Sequence, residues 1–118
     1  MNYRTRSTVF FDAGHTVNNE VCGDKPHGHR YTVTVTWARE GYPATDLELW
    51  WTDARKLEDL RKELNHRELN RMLGASEPNV FGVAGFFMER LAAVSNVIKV
   101  EVNESDGPTA IVERDINS

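Results

Sequence analysis

The chain has 118 residues, 40% of them hydrophobic and 27% charged, which suffices for one hydrophobic core but not for two. Its formal net charge is -4 and its basic residues are scattered rather than massed, so we expect no nucleic-acid partner. No apolar run reaches the length of a membrane span, and no basic and apolar leader opens the chain. We therefore expect a single cytoplasmic domain over residues 1–118, with no membrane partner.

Two strands of alternating hydrophobicity open the chain, over about residues 4–15 and 27–39. Their odd positions carry the apolar residues Val9, Phe11, Ala13, Tyr31, Val33, Val35 and Trp37. Because side chains alternate between the two faces of a strand, His15, His27 and His29 are expected on the face of these apolar residues, at the strand ends. If the strands pair antiparallel, those ends meet and the three histidines come together.

Three neutral imidazoles in one place form a ligand set for zinc. Three protein ligands leave the fourth position open for water or substrate, which is the pattern of a catalytic site. The alternative is a set of ordinary hydrogen-bonded histidines, since a His-x-His pair by itself is weak evidence for a metal. The matching position of His15 favours zinc.

The connection between the two strands carries the only cysteine, Cys22, which cannot form an internal disulfide. A free cysteine is more often a small buried hydrophobic residue than a nucleophile or a base. Here the loop position, next to Lys25 and to a metal site, favours a reactive thiol.

Residues 40–51 predict a turn that leads into a short return strand. This segment ends in the pair Trp50-Trp51. Adjacent strand residues point to opposite faces, so we expect one tryptophan in the core. The other is either partly exposed or part of a subunit contact.

Two amphipathic helices follow. The first is expected to begin at Thr52 or Asp53, both good N-caps, and to end near residues 65–66. A loop through Gly74 and Pro78 separates it from the second. Their apolar stripes, which we expect to pack in the core, are Leu57, Leu60 and Leu64 in the first helix and Val80, Val83, Ala84, Phe87, Met88 and Leu91 in the second.

A hairpin closes the chain, with strands over about residues 96–104 and 109–113. Ile98, Val100 and Val102 share one face of the first strand, and Glu104 takes the next position on that face. A carboxylate there is unfavourable unless it meets hydrogen-bond donors. Alternatively, Glu104 simply emerges from the sheet where the strand ends.

The order strand, strand, helix, helix, strand, strand predicts an α+β fold. In this fold an antiparallel sheet carries both helices on one face. A sheet this small has exposed edges, which a neighbouring subunit could cover.

His15, Cys22 and the His27-Gly28-His29 motif are followed by Leu-Asn-His-Arg-Glu-Leu-Asn over residues 64–70 and by Val-Glu-Val-Asn-Glu over residues 100–104. In this order they resemble the family of 6-pyruvoyltetrahydropterin synthase and 6-carboxytetrahydropterin synthase. The resemblance covers nearly the whole chain, and all four histidines and the cysteine fall at motif positions. It implies the tunnelling fold, in which three subunits close a barrel and two rings commonly stack into a hexamer.

The resemblance also implies the chemistry, which is the conversion of a pterin, normally dihydroneopterin triphosphate, with zinc as cofactor. The short chain favours the carboxy-forming type, which feeds 7-deazapurine biosynthesis, over the pyruvoyl-forming type. The implied roles are zinc ligands for His15, His27 and His29, general base for Cys22, proton transfer for His66 and pterin anchor for Glu104.

Three departures from the family pattern bear on the substrate. Asn65 precedes His66 where the family usually has aspartate, and an amide supplies no negative charge. Asn79 stands in a helix start that lacks the hydroxyl and the acid of the family motif, and it is the substrate-binding candidate there. Four residues separate Cys22 from His27, where common members have three or five.

These departures leave two alternatives open. The same zinc site and fold could act on a different heterocyclic or polyol substrate. The chain could also be a pterin-binding subunit that has lost turnover through Asn65.

Overall fold

The computed structural model describes residues 2–16, 26–41, 45–49, 53–67, 69, 73, 79–105 and 107–115. Its helices and strands are β1 (Tyr3–Thr16), β2 (Pro26–Arg39), α1 (Asp46–Leu49), α2 (Arg55–Leu64), α3 (Val80–Ala92), β3 (Val97–Glu104) and β4 (Thr109–Glu113).

The four strands form one antiparallel sheet in the order β1-β2-β3-β4. The alternation of apolar and polar residues explains this sheet, because the odd positions in the middle of β1 and β2 are buried on one face. Helix α2 packs against β1, and α3 packs against β3 and β4. The predicted α+β fold, an antiparallel sheet with helices packed on it, is confirmed.

The predicted helical stripes form the core together with the sheet. Leu57, Leu60 and Leu64 of α2 are buried, as are Val83, Ala84, Phe87, Met88 and Leu91 of α3. Leu69 and Leu73 are also buried, and the Leu73 N–H donates to the Leu69 carbonyl, which is a helical hydrogen bond. The segment interpreted from the sequence as a loop therefore contributes two leucines to the core.

A column of aromatic rings connects α3 to the middle of the sheet. The ring centroid of Phe87 lies 6.1 Å from that of Phe11, and Phe11 stacks on Tyr31 at 5.3 Å. All three side chains are almost completely buried. Tyr31 lies two residues beyond His29, so this column supports the end of β2 that carries the histidines.

The predicted N-cap Asp53 is wrong, although helical structure is present where the start was expected. Residues 53–54 form a π-helical turn, and α2 follows from Arg55 with Ala54 as its N-cap, without a side-chain hydrogen bond. The Asp53 carboxylate does not cap the helix but accepts a hydrogen bond from Arg39 at 3.0 Å. This pair is largely buried, and a charged partner stabilises a carboxylate more than a backbone amide does.

The predicted return strand is also wrong where the structure describes it. Residues 46–49 form the short helix α1, and the Thr45 hydroxyl accepts a hydrogen bond from the Glu48 N–H at 3.2 Å. Thr45 thus satisfies a free amide at the helix start. Trp50 and Trp51 lie outside the described residues.

A register shift changes the core face of β3. The β2–β3 pairing shifts between Thr36 and Trp37, so that Trp37 pairs with Val97. Val97 is fully buried in consequence, whereas Ile98, predicted on the core face, is only partly buried. Val100 and Val102 are buried as predicted.

Candidate active site

The register of the first hairpin brings the predicted histidines to one end of the sheet. His15 pairs with His27, and Ala13 pairs with His29. The antiparallel pairing on which the zinc prediction depends is therefore present. Here the structure describes the backbone of His15 and His27 and the full side chain of His29. Among the side chains that it describes, no group of three metal-ligating residues occurs.

The side chain of His29 is held by a carboxylate from β3. Its Nδ1 lies 3.1 Å from Glu104 Oε1, and both side chains are partly exposed. A carboxylate accepts hydrogen bonds, so Nδ1 is the donor in this contact. A histidine held in this way by a carboxylate is typical of metal ligands.

Glu104 also binds the neighbouring residue of the core. It pairs with Tyr31 in the β2–β3 register, and its carboxylate accepts a hydrogen bond from the Tyr31 hydroxyl. On the apolar face where it was predicted, Glu104 thus has the hydrogen-bond donors that a carboxylate needs, the Tyr31 hydroxyl and His29 Nδ1. Burial, the charge of Glu104 and this hydrogen bond, in that order, raise the pKa of Tyr31 well above its ordinary value.

We expect this raised pKa to make the fold sensitive to alkali. The folded protein keeps the Tyr31 proton where the unfolded chain has lost it. The resulting stability is present below the ordinary tyrosine pKa of 10.0 and is lost as the pH rises above it. Tyr31→Phe should be less stable at neutral pH by about 1–3 kcal/mol, because the bond to Glu104 is absent.

Above pH 10.0, however, the stability of Tyr31→Phe should fall less steeply than that of the parent. Urea unfolding of both proteins across this pH range measures the two slopes. Equal slopes would show that Tyr31 does not hold its proton in the fold.

The segment that follows α2 is fastened to the outer edge of β1. Asn65 Oδ1 accepts a hydrogen bond from the Asp12 N–H at 3.1 Å, and the His66 N–H donates to the Asp12 carbonyl. The Gly14 N–H donates to the Arg67 carbonyl at 3.0 Å. These bonds satisfy backbone groups that an edge strand otherwise leaves open, and they fix His66 beside β1.

His66 has an unusual backbone conformation. Its φ is 60°, in the left-handed region, and it directly follows Asn65, the residue that ends α2. Glycine is usual at this position because other residues are strained there, by roughly 1–2 kcal/mol. Such strain is frequent at functional sites. The exposed imidazole of His66 is the feature that glycine would remove.

We expect His66→Gly to separate stability from function. Relief of the backbone strain should raise the free energy of unfolding by about 0.5–1 kcal/mol, after allowing for the greater freedom of glycine in the unfolded chain. Any activity that needs the imidazole should be lost. His66→Ala, measured alongside by urea unfolding, removes the imidazole but keeps the strain. If His66→Gly were no more stable than His66→Ala, the backbone at this residue would not be strained.

An open cleft of about 510 Å³ lies at this end of the sheet. Its lining residues are Asp12, Ala13, Gly14, His29, Arg30, His66, Arg67 and Ser105. The cleft thus combines two predicted site residues, His29 and His66, with charged residues that the sequence analysis did not select. The signal that could have identified Asp12 and Arg30 is that each is a charged residue near a histidine at a strand end.

Asp12 and Arg30 form an ion pair across the two strands. Arg30 Nε lies 3.0 Å from Asp12 Oδ1, and Arg30 Nη2 lies 3.3 Å from Asp12 Oδ2. The hydrogen bond from Arg30 lowers the pKa of Asp12, against an opposing effect of burial. The charges of Arg30 and His66 lower it further. Arg30 also lies over the ring of Phe10, at 4.6 Å from the centroid.

The structure describes one of the two remaining predicted site residues, Asn79 and Cys22. The Asn79 side chain caps α3, where it accepts a hydrogen bond from the Gly82 N–H at 3.0 Å. Cys22 lies outside the described residues.

The arrangement defines a class of protein. It is a small α+β domain of the tunnelling-fold type, with three histidines at one end of a hairpin and a carboxylate that holds one of them. The sequence model of the family described as 6-pyruvoyl tetrahydropterin synthase matches residues 5–115. The chain therefore belongs to this family. A search of curated proteins finds no match.

Solved structures agree with this assignment. The 6-pyruvoyl tetrahydropterin synthase of Caenorhabditis elegans is 18% identical, with a TM-score of 0.79 over 98% of this chain and 97% of that one. An uncharacterized protein of Wolinella succinogenes is 17% identical, with a TM-score of 0.69 over 98% and 99% of the two chains. The enzyme of Plasmodium falciparum is 14% identical, with a TM-score of 0.68 over 98% and 99%. At such identities the likeness establishes the fold, and the low values indicate a diverged member.

In the part of the chain that the structure describes, no helix is both long and apolar enough to cross a membrane.

Proposed function

We propose that this protein is a zinc-dependent lyase or synthase that converts dihydroneopterin triphosphate to 6-carboxytetrahydropterin, or alternatively to 6-pyruvoyltetrahydropterin. Family membership supports a pterin-synthase type of activity. The observation that carries the proposal furthest is the hairpin register, in which His15 pairs with His27 while His29 follows two residues later.

The residues present fit a zinc ion. His15, His27 and His29 would be its three ligands, which leaves a position for substrate. His29 contacts the Glu104 carboxylate through Nδ1, and a histidine that binds a metal through one ring nitrogen commonly contacts a carboxylate through the other, which supports this assignment. Zinc, when bound, would polarise a side-chain oxygen of the substrate and so acidify the neighbouring C–H.

Glu104 would anchor the pterin ring. A carboxylate has two oxygens that together accept about four hydrogen bonds, so Glu104 can keep Tyr31 and His29 and still accept donors from an aminopyrimidine edge. Its side chain is 26% exposed, which leaves it accessible from solvent. Hydrogen bonds to a charged group discriminate well between ligands that have these donors and ligands that lack them.

The remaining roles follow the family pattern. Cys22, as a thiolate, would be the general base, and His66 would transfer protons to or from the intermediate. Asn79 would contribute to substrate binding. The proposal includes a single domain over residues 1–118, assembly into a trimer or hexamer that completes each site, a cytoplasmic location and a role in 7-deazapurine biosynthesis.

Product identification tests the proposal. Zinc-loaded protein is incubated with dihydroneopterin triphosphate, and the products are analysed by mass spectrometry, with metal-stripped protein as the control. We expect a carboxylated or pyruvoyl tetrahydropterin in the zinc-loaded sample alone. Unchanged substrate in the presence of stoichiometric bound zinc would refute the pterin-synthase function and favour a different heterocyclic or polyol substrate.

A pterin-binding subunit without turnover is the second candidate. It is favoured by Asn65, whose amide oxygen is occupied by the Asp12 N–H and which supplies no negative charge. Retained pterin binding by calorimetry, with no product, would support this candidate.

We expect Asn65→Asp to accelerate turnover. A carboxylate at this position can accept the same hydrogen bond from the Asp12 N–H and adds negative charge next to His66. We expect kcat to rise about tenfold with the melting temperature nearly unchanged, because a correctly placed charge favours imidazolium formation in proton transfer. Steady-state kinetics of parent and variant measure the effect. A lower kcat in the variant would show that the amide is required.

A further inference from the structure

The acid that the family sequence usually places before the catalytic histidine is absent here, and Asn65 stands in its place. The Asn65 amide oxygen accepts from the Asp12 backbone N–H at 3.1 Å, across 53 positions of the sequence. Asn65 therefore holds the segment to β1. This leaves open which group supplies negative charge to His66.

Asp12 meets the geometric requirement for such a group. The His66 N–H donates to the Asp12 carbonyl, so the two residues are joined by their backbones independently of their side chains. Both side chains line the same cleft. Asp12 lies on β1, which pairs with β2 along its whole length, so its Cα is fixed by the fold.

The electrostatics agree with this geometry. The positive charge of His66 is one of the causes that lower the pKa of Asp12.

Other charged or titratable groups face this pair from each neighbouring element. Arg30 of β2 binds both carboxylate oxygens of Asp12, at 3.0 and 3.3 Å. Arg67 follows His66 in the chain, and His29 of β2 also lines the cleft. Asp12 and Arg30 are 48% and 59% exposed in their side chains, so salt screens the whole group. The positive charge of Arg30 opposes the stabilising effect of the Asp12 carboxylate on a charged His66. Removal of the Arg30 charge should therefore strengthen this effect.

We propose that Asp12 is the positioning residue of His66, and that its carboxylate replaces the acid missing at Asn65. The proposal rests on the proposed function in one respect, since it assumes that His66 transfers protons. In this account the backbone bond sets the distance between the two residues, and the carboxylate stabilises the imidazolium when His66 takes up a proton. Arg30 holds the carboxylate in place and weakens its field.

The coupling is measured directly by NMR titration of the Asp12 carboxyl group. His66→Asn, which tolerates a positive φ, should raise the pKa of Asp12. Arg30→Gln should raise it more, because the hydrogen bond from Arg30 is the largest cause of the lowering. Glu58, whose pKa is lowered by Arg61 on α2, is the internal control and should be unchanged in both variants. At high salt the effect of His66→Asn should shrink.

An unchanged Asp12 pKa in His66→Asn at low salt would overturn the proposal, whatever the activity of the protein. This measurement needs neither substrate nor metal. Its failure is therefore distinguishable from failure of the proposed function, which appears as an absence of pterin product.

A kinetic experiment tests the role of the coupling. Asp12→Asn keeps the backbone N–H and carbonyl that bind Asn65 and His66, so the fold should persist with a nearly unchanged melting temperature. We expect kcat to fall roughly 5- to 50-fold, with KM little changed, since the lost charge acts on proton transfer. The double variant Asp12→Asn with Asn65→Asp places the negative charge at residue 65 instead, on the side chain that accepts the hydrogen bond from the N–H of residue 12. In this variant kcat should recover. Equal kcat in Asp12→Asn and parent, or no recovery in the double variant, would contradict the assignment.

Discussion

Replacing His29 with alanine is expected to abolish stoichiometric zinc binding and to lower kcat for pterin conversion by about a thousandfold or more. His29 pairs with Ala13, two residues along the register from the paired His15 and His27, so its loss would leave two ligands at this end of the hairpin. It would also remove a partner of Glu104 and thereby weaken the proposed pterin anchor. Zinc per chain by elemental mass spectrometry and initial rates measure the two effects.

Thr34→Ala is the matched control for His29→Ala. Thr34 lies on the same strand and its hydroxyl bonds to that of Thr8 at 3.0 Å on the exposed side of the hairpin. We expect this variant to bind one zinc and to turn over like the parent. If His29→Ala also kept one zinc per chain, the ion would be held elsewhere and the three-histidine site would be wrong.

Phe11→Ala is expected to lower the free energy of unfolding by about 3–5 kcal/mol. Phe11 is 1% exposed and stacks on both Tyr31 and Phe87, so alanine would leave a cavity in the middle of the aromatic column. Loss of this support should also loosen the end of β2 that carries His29. Urea unfolding measures the change in stability, and zinc affinity by calorimetry measures the effect on the site.

Phe10→Ala is the control, since Phe10 is the preceding residue and points to the other face of the sheet. Its side chain is 55% exposed and its described ring contact is with Arg30. We expect a loss of less than about 1 kcal/mol. Similar losses for the two variants would mean that the aromatic column does not stabilise the fold.

The strands and their pairing could be predicted from the sequence because local periodicity determines them. The alternation in β1 and β2 identifies the buried face. It also places His15, His27 and His29 at positions that meet once the strands pair. The stripes of α2 and α3 were likewise readable, because helical spacing concentrates apolar residues on one face.

Features that depend on contacts distant in sequence were not predictable. Asp53 was expected to cap α2, but its carboxylate binds Arg39 instead. No local rule decides between the backbone amides of a helix start and an arginine that is distant in sequence. The shift opposite Trp37 that buries Val97 is a property of the strand pair. In each case a tertiary interaction overrides a local preference.

In the candidate site, too, the residue types could be predicted from the sequence, whereas their long-range contacts could not. The chemical types of the residues were visible in the sequence, and the family resemblance assigned roles to Cys22, His66 and Glu104. The sequence did not indicate that Glu104 holds His29 or that Asn65 is occupied by the backbone of Asp12. The importance of Asp12 follows from these contacts, since an acid on a strand otherwise looks like an ordinary surface residue.

X-ray absorption at the zinc edge of the loaded protein tests the central claim, a zinc site made of three histidines, most directly. We predict three imidazole nitrogens at about 2.0–2.1 Å, with the fourth position taken by an oxygen in the absence of substrate. In His29→Ala the imidazole count should fall. A sulfur ligand at about 2.3 Å, or a parent site with fewer than three imidazoles, would contradict this zinc site. The sulfur ligand would also remove Cys22 from its role as free base.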